Sequence, residues 1–117
     1  MDLRSIRFKA KRLDGKGWAI GDLLHSYENG AIIVPIEGGG AFSVDPSTVC
    51  QFTGLKDTND VPIFEGDIIA FDGEGEVVFK DGAFYAKFGK YTECLLCNLV
   101  KSGISVTIVG NKFDKEK

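Results

Sequence analysis

The sequence predicts an all-β, mainly antiparallel protein, and three observations carry that prediction. Short runs of alternating apolar and polar residues recur from one end of the chain to the other. Turn chemistry rich in Gly, Asp and Asn separates them at short intervals. No strand–helix–strand alternation, internal repeat or linker is present, so a parallel sheet or a solenoid is not expected.

The clearest strand is Ile6-Arg7-Phe8-Lys9-Ala10-Lys11, whose strict alternation places Ile6, Phe8 and Ala10 inward and Arg7, Lys9 and Lys11 outward. Leu13 to Gly17 is turn chemistry, and Trp18 to Leu24 reads as the returning strand of a hairpin. Glu28-Asn29-Gly30 suits the positive φ angles of a tight turn, and Ala31 to Ile36 follows as a third strand. After Gly38-Gly39-Gly40, Ala41 to Val44 alternates as a short fourth strand. Asp45-Pro46 then supplies an N-cap and a proline for a single helical turn.

The second half is denser in strands. Asp67 to Phe71, Gly75 to Phe79 and Ala83 to Phe88, separated by Asp72-Gly73-Glu74 and Lys80-Asp81-Gly82, form a meander. Leu95 to Val100 fits helix or strand equally, because a short apolar run carries no decisive period. Ile104 to Val109 closes the sheet, and the charged tail from Asp114 to Lys117 should fray.

A Glu-Gly-Asp-Ile-Ile entry followed by short strands and glycine turns resembles the small, strongly bent barrels of the SH3-like kind. The expected architecture is therefore an N-terminal β-meander packed against a small, partly open, SH3-like barrel, with at most one or two short helical turns. One domain over 1–117 is expected, with sub-lobes at 1–48 and 49–117. A chain of 117 residues buries about two thirds of its unfolded surface and needs no staple.

The net charge is only −3, but it is unevenly distributed. Met1 to Lys16 holds Arg4, Arg7, Lys9, Lys11, Arg12 and Lys16 against Asp2 and Asp14, a balance of +4. Gly17 to Phe79 sets Lys56 alone against eleven acids, −10, and the remainder of the chain is +3. There is no run of eighteen apolar residues, and the chain opens into a charged segment without an apolar signal core. A cytoplasmic location and no membrane association are expected.

The stretch Gln51 to Ile68, QFTGLKDTNDVPIFEGDI, resembles the signature of the YopX-like family of bacteriophage and prophage proteins. That signature is a Q-[FY]-T-G-L-K-D segment, an Asn-Gly turn and an [IVF]-[YF]-E-G-D-[IV] segment. IRFKA at Ile6, GDLLHS at Gly21 and SVTIVGNKFD at Ser105 extend the similarity over nearly the whole chain. Gln51, Thr53, Gly54, Asn59, Glu65, Gly66 and Asp67 are its structural positions. Asp60 replaces the usual glycine after Asn59, a change aspartate tolerates because it enters the left-handed region more readily than most residues. The resemblance implies a phage or prophage protein and supplies no activity.

Candidate chemistry is sparse. Cys94-Leu95-Leu96-Cys97 has C-x-x-C spacing and, with Cys50 and His25, offers a zinc set. The intervening Leu-Leu pair and the opposite facing of residues i and i+3 on a strand favour reduced core thiols instead. A dithiol of the thioredoxin type needs a strand leading into a helix N-terminus, which the sequence does not announce. His25 has no nucleophile motif beside it, and no phosphate-binding glycine loop is present. No catalytic residue, metal or cofactor is expected.

Glu65, Asp67, Asp72, Glu74 and Glu76 form an acidic group, with Glu65 and Asp67 on one face by alternation. Turn and cap roles are the leading reading for that pair, ahead of an acidic rim for a partner. Arg7, Lys9, Lys11 and Arg12, with Lys16, form the one basic patch, and no interleaved aromatics are evident beside it. The candidate interaction residues are accordingly Arg7, Lys9, Lys11, Arg12, Glu65 and Asp67. The favoured function is a non-enzymatic interaction or self-assembly module, with a host or phage protein or a second copy as partner. The alternative is a nucleic-acid-associated small barrel using the basic strand, which a pI near 5.1 disfavours.

Overall fold

A computed structural model describes residues 7–26, 30–35, 38–71, 73–90 and 92–114. Ile6, Glu28-Asn29, Ile36, Asp72 and the tail from Lys115 lie outside them. The described chain is mainly antiparallel β-sheet with one short α-helix, as the alternation predicts. It divides into two units, Met1–Phe52 and Thr53–Lys117. The division falls inside a strand, a few residues beyond the 48/49 boundary expected from sequence.

The first unit contains β1 (Phe8–Lys11), β2 (Trp18–Ser26), β3 (Gly30–Val34), β4 (Phe42–Val44) and the start of β5 (Cys50–Lys56). β1 pairs with β2 through Lys9↔Ile20 and Lys11↔Trp18, and β2 with β3 through Leu24↔Ile32. The alternation places Phe8, Ala10, Leu23, Ala31, Ile33 and Val44 on the core side. Arg12 bridges Val44, Leu13 N donates to Ser43 O and Asp45 N donates to Lys11 O. The sheet therefore curls until β4 is tied back to the end of β1, which leaves β4 little unpaired edge.

The predicted helical turn is a 3-10 turn at Pro46–Thr48, capped by Asp45 Oδ1, which accepts from Ser47 N at 3.0 Å. Thr48 Oγ1 accepts from Lys11 N at 2.8 Å, so the turn also fastens the last residue of β1.

The second unit contains the rest of β5, β6 (Pro62–Phe64), β7 (Asp67–Ala70), β8 (Glu74–Lys80), β9 (Ala83–Phe88), β10 (Thr92–Leu95), α1 (Leu96–Lys101) and β11 (Thr107–Asn111). Its five-stranded sheet runs β10-β9-β8-β7-β11 and stays open; neither sheet closes into a barrel. Asp81 and Gly82 join β8 to β9 with φ of +53° and +83°, the pattern of a type I′ hairpin turn. Ile63, Ile69, Val77, Ala86, Leu96, Leu99 and Val106 form the core.

The last strand is Thr107–Asn111 and not Ile104 to Val109, β5 is not among the expected strands, and two further segments depart from expectation for local reasons. β6 starts at Pro62, and proline suppresses the strand signal although it is tolerated as a first residue. The ambiguous run at Leu95 is both structures in succession. Cys94 turns to the core on β10, and the i, i+3 spacing of Leu96 and Leu99 then buries one face of α1. Among the described residues, no helix is long and apolar enough to cross a membrane.

Candidate functional site

The family-signature residues build turns. Thr53 Oγ1 donates to Ile63 O at 2.8 Å and accepts from Leu55 N, which fastens β5 to β6 around Gly54, φ +86°. Gln51 pairs opposite Phe8. Asp57 Oδ1 accepts from Asn59 N and Val61 N, and Asp57 Oδ2 accepts from Ile108 N at 3.1 Å. One carboxylate thus closes the loop and holds β11. Asp60 takes φ +68°, which explains how aspartate serves at the glycine position.

Glu65 and Asp67 do not share a face. Glu65 and Gly66 are the corner between β6 and β7, Glu65 is half-exposed, and Gly66 takes φ +90°. Asp67 is buried at 1% exposure, with Oδ2 accepting from Phe64 N at 2.8 Å and Oδ1 from Asn111 Nδ2 at 2.9 Å. Alternation fails here because Glu65 lies in a turn. Asp67 holds the backbone of the corner, and Glu65 lies in the turn itself. Gly66→Val is expected to cost about 1–3 kcal/mol through backbone strain, whereas Lys9→Glu changes stability by less than about 1 kcal/mol. Paired urea titrations check both, and an unchanged glycine variant contradicts the turn assignment.

Much of the acidic middle is likewise engaged locally. Asp45 caps the 3-10 turn, Asp57 and Asp67 hold backbone, Asp60 lies 3.7 Å from Lys56, and Glu76 lies 3.4 Å from Lys112.

Cys94 and Cys97 stand where β10 passes into α1, the strand-to-helix placement that sequence did not reveal. Burial pushes the Cys94 thiol up, opposite to the activation of a redox dithiol. Cys50 is buried with its thiol on Thr48 O at 3.3 Å, and His25 is exposed opposite Ala31. Among the described residues, no three His, Cys, Asp or Glu side chains form a metal-binding group. Alkylation followed by mass spectrometry should modify Cys97 first, Cys94 more slowly and Cys50 last; fastest labelling at Cys94 contradicts this placement.

The basic strand is where the structure adds most. Lys9 and Lys11 lie on the outward side of β1 and Arg7 directly precedes it, and register brings aromatics beside them that are distant in sequence. Lys9 Nζ stands 4.7 Å and Lys11 Nζ 5.5 Å from the Trp18 ring centroid, and Arg7 stands 5.8 Å from that of Phe52. Arg12 leaves the row: its guanidinium stacks 4.2 Å from the Phe42 centroid and pairs with Asp14 at 2.6 Å. The odd positions face outward and position 12 does not, so Arg12 is a neighbour of the row in sequence only. Lys16 N bonds Asp14 Oδ1 in the β1–β2 turn, and that bond, with Arg12 beside it, holds the Asp14 carboxyl below its ordinary range.

The outward row continues into apolar surface. Ile20 opposes Lys9 and is 46% exposed, and Leu24, further along the same face of β2, is 55% exposed. Asp22 lies between them, exposed.

These features define a small antiparallel β protein of two units, whose signature motif is a set of backbone-fastening turns and whose first sheet carries a cationic and apolar outer face. The chain belongs to the YopX family: the family model described as YopX protein matches residues 20–116. Among solved structures it is similar to protein EF1440 from Enterococcus faecalis, at 22% identity and a TM-score of 0.53 over 91% of this chain and 92% of that one, a likeness of fold. No curated protein matches it.

Proposed function

We propose that this protein is a non-enzymatic interaction module, encoded by a phage or prophage and acting in the bacterial cytoplasm. It binds a partner protein through the outward face of its first sheet. The observation that carries the reading is the exposure of Ile20 and Leu24 on the face that also presents Lys9, Lys11 and Trp18. Exposed large apolar side chains beside a tryptophan make a surface suited to a protein partner. YopX membership supports the phage origin.

A second reading, single-stranded nucleic acid, draws on the cation–aromatic contacts along β1. The Trp18 ring already carries two ammonium groups, so stacking a base there requires displacing them.

The test places a photo-crosslinking amino acid at Ile20 or Leu24, and at Phe79 or Val109 as controls of similar exposure, 49% and 51%. A defined protein adduct from the first pair alone is expected. Equal adducts from all four positions, or adducts only to nucleic acid, overturn the reading.

A further inference from the structure

We infer that β10, the open edge of the second sheet, takes an extended segment of a partner protein as an added strand. β10 belongs to the second unit, so this site is independent of the face proposed above. The two sheets have four edge strands, β4, β6, β10 and β11, and three of them are closed. β4 is tied back to β1, β6 begins with a proline and gives its Phe64 N–H to Asp67, and β11 gives its Ile108 N–H to Asp57. β10 has no such device. Among the described residues, no backbone group of Thr92 to Leu95 bonds anything beyond β9 and the start of α1. Its one charge, Glu93, is drawn over the sheet by Lys80 at 2.8 Å and does not guard the edge.

The direction of the β10 backbone groups follows from the hairpin before it. A two-residue type I′ turn at Asp81-Gly82 makes Lys80↔Ala83 a hydrogen-bonded pair, so Val78↔Tyr85 and Glu76↔Lys87 are bonded pairs and Val77↔Ala86 is not. Val77 O agrees, since it accepts from Gly66 N on the side away from β9. Ala86 and Phe88 therefore bond across to Cys94 and Thr92, which leaves Glu93 and Leu95 facing outward. Leu95 is the N-cap of α1, so its carbonyl serves the helix. The open groups are the N–H and C=O of Glu93 and the N–H of Leu95.

An incoming antiparallel strand needs one residue opposite Glu93 with both backbone groups to offer, which excludes proline there. Leu95 is 36% exposed on the same face as Glu93, so an apolar side chain two residues earlier in the partner covers it, and a basic or neutral one suits Glu93. A second copy does not meet these terms. Self-pairing that keeps like faces together sets Glu93 against Glu93, or against Leu95, whose carbonyl is already used.

The test follows backbone amides by NMR while the full chain is titrated with the acetylated, amidated peptide Thr-Ile-Val-Lys-Val-Thr, its lysine opposite Glu93 and its isoleucine opposite Leu95. In the free protein the Glu93 and Leu95 amides should be protected from hydrogen exchange at least about tenfold less than that of Cys94. The peptide is expected to shift both saturably and to raise their protection about tenfold. Methylating the peptide's lysine nitrogen, which points at β10, should abolish this. Methylating the following valine nitrogen, which points away, should leave it intact. Leu95→Pro suits the φ of −60° at that position and removes the outward N–H, so this variant, its fold checked by circular dichroism, should lose the peptide. Protection of Glu93 equal to that of Cys94, no saturable shift, or equal loss with both methylated peptides overturns the inference. Protection that rises with protein concentration alone gives the edge to a second copy and overturns it as well.

Discussion

Gly21→Ala is expected to unfold or severely destabilise the first unit, by about 3 kcal/mol or more. A Cβ at Gly21 would collide with Val34 O and lie 2.7 Å from the Val34 carbonyl carbon and Pro35 Cα. All three are backbone atoms, so no side-chain rotation relieves the clash. β3 must move away from β2, at the cost of the Asp22↔Val34 pairing beside it. The glycine is needed for space and not for a left-handed backbone. Gly75 offers the comparison: a Cβ there meets the Phe88 ring at 2.7 Å, a side chain that is able to turn, and Gly75→Ala should cost less. Urea unfolding followed by Trp18 emission reads the first unit directly, and an unchanged midpoint for Gly21→Ala would contradict this account of β2 and β3.

Asp67→Ala carries the second large effect. The carboxylate is almost fully enclosed and serves two donors, Phe64 N across the β6–β7 corner and Asn111 Nδ2 on β11. Asn111 Oδ1 in turn accepts from Phe113 N at 2.8 Å, so one aspartate organises a corner and a strand end together. Truncation strands both donors away from water. At about 1.5–3 kcal/mol for each hydrogen bond to a charged group, a loss of about 3–6 kcal/mol is expected. Asp67→Asn keeps one acceptor and should fall between the wild type and alanine, while Glu65→Ala in the neighbouring turn should be nearly silent. Thermal unfolding of the three variants tests this ranking. Glu65→Ala matching Asp67→Ala would mean that the two acids act as a pair after all.

What the sequence made legible was local. The alternation over Phe8 to Lys11 correctly separates core from outer face, because a strand's period acts residue by residue. Asp81-Gly82 gives its hairpin for the same reason, and Asp60 takes the positive φ that its place in the motif demands. What stayed hidden depends on register or on three-dimensional use. No window of sequence places Trp18 between Lys9 and Lys11; the β1–β2 pairing does. The acidic middle was legible only where a local motif announces the role, as Asp45-Pro46 does; a count of carboxylates does not distinguish a surface charge from one that fastens a loop, as Asp57 does. Cys94 and Cys97 could not be placed while the strand-to-helix change at Leu95 was hidden in an unbroken apolar run.

The central claim is that the outer face of the first sheet serves an external protein partner. Size-exclusion chromatography with light scattering tests it most directly, run on purified protein at low and high salt, alone and with single-stranded or duplex DNA. The account predicts a monomer whose mass is indifferent to salt and to both DNAs. A discrete oligomer that dissociates as salt rises would move the partner to a second copy, and a DNA complex released by salt would give the face to nucleic acid; either result would contradict it.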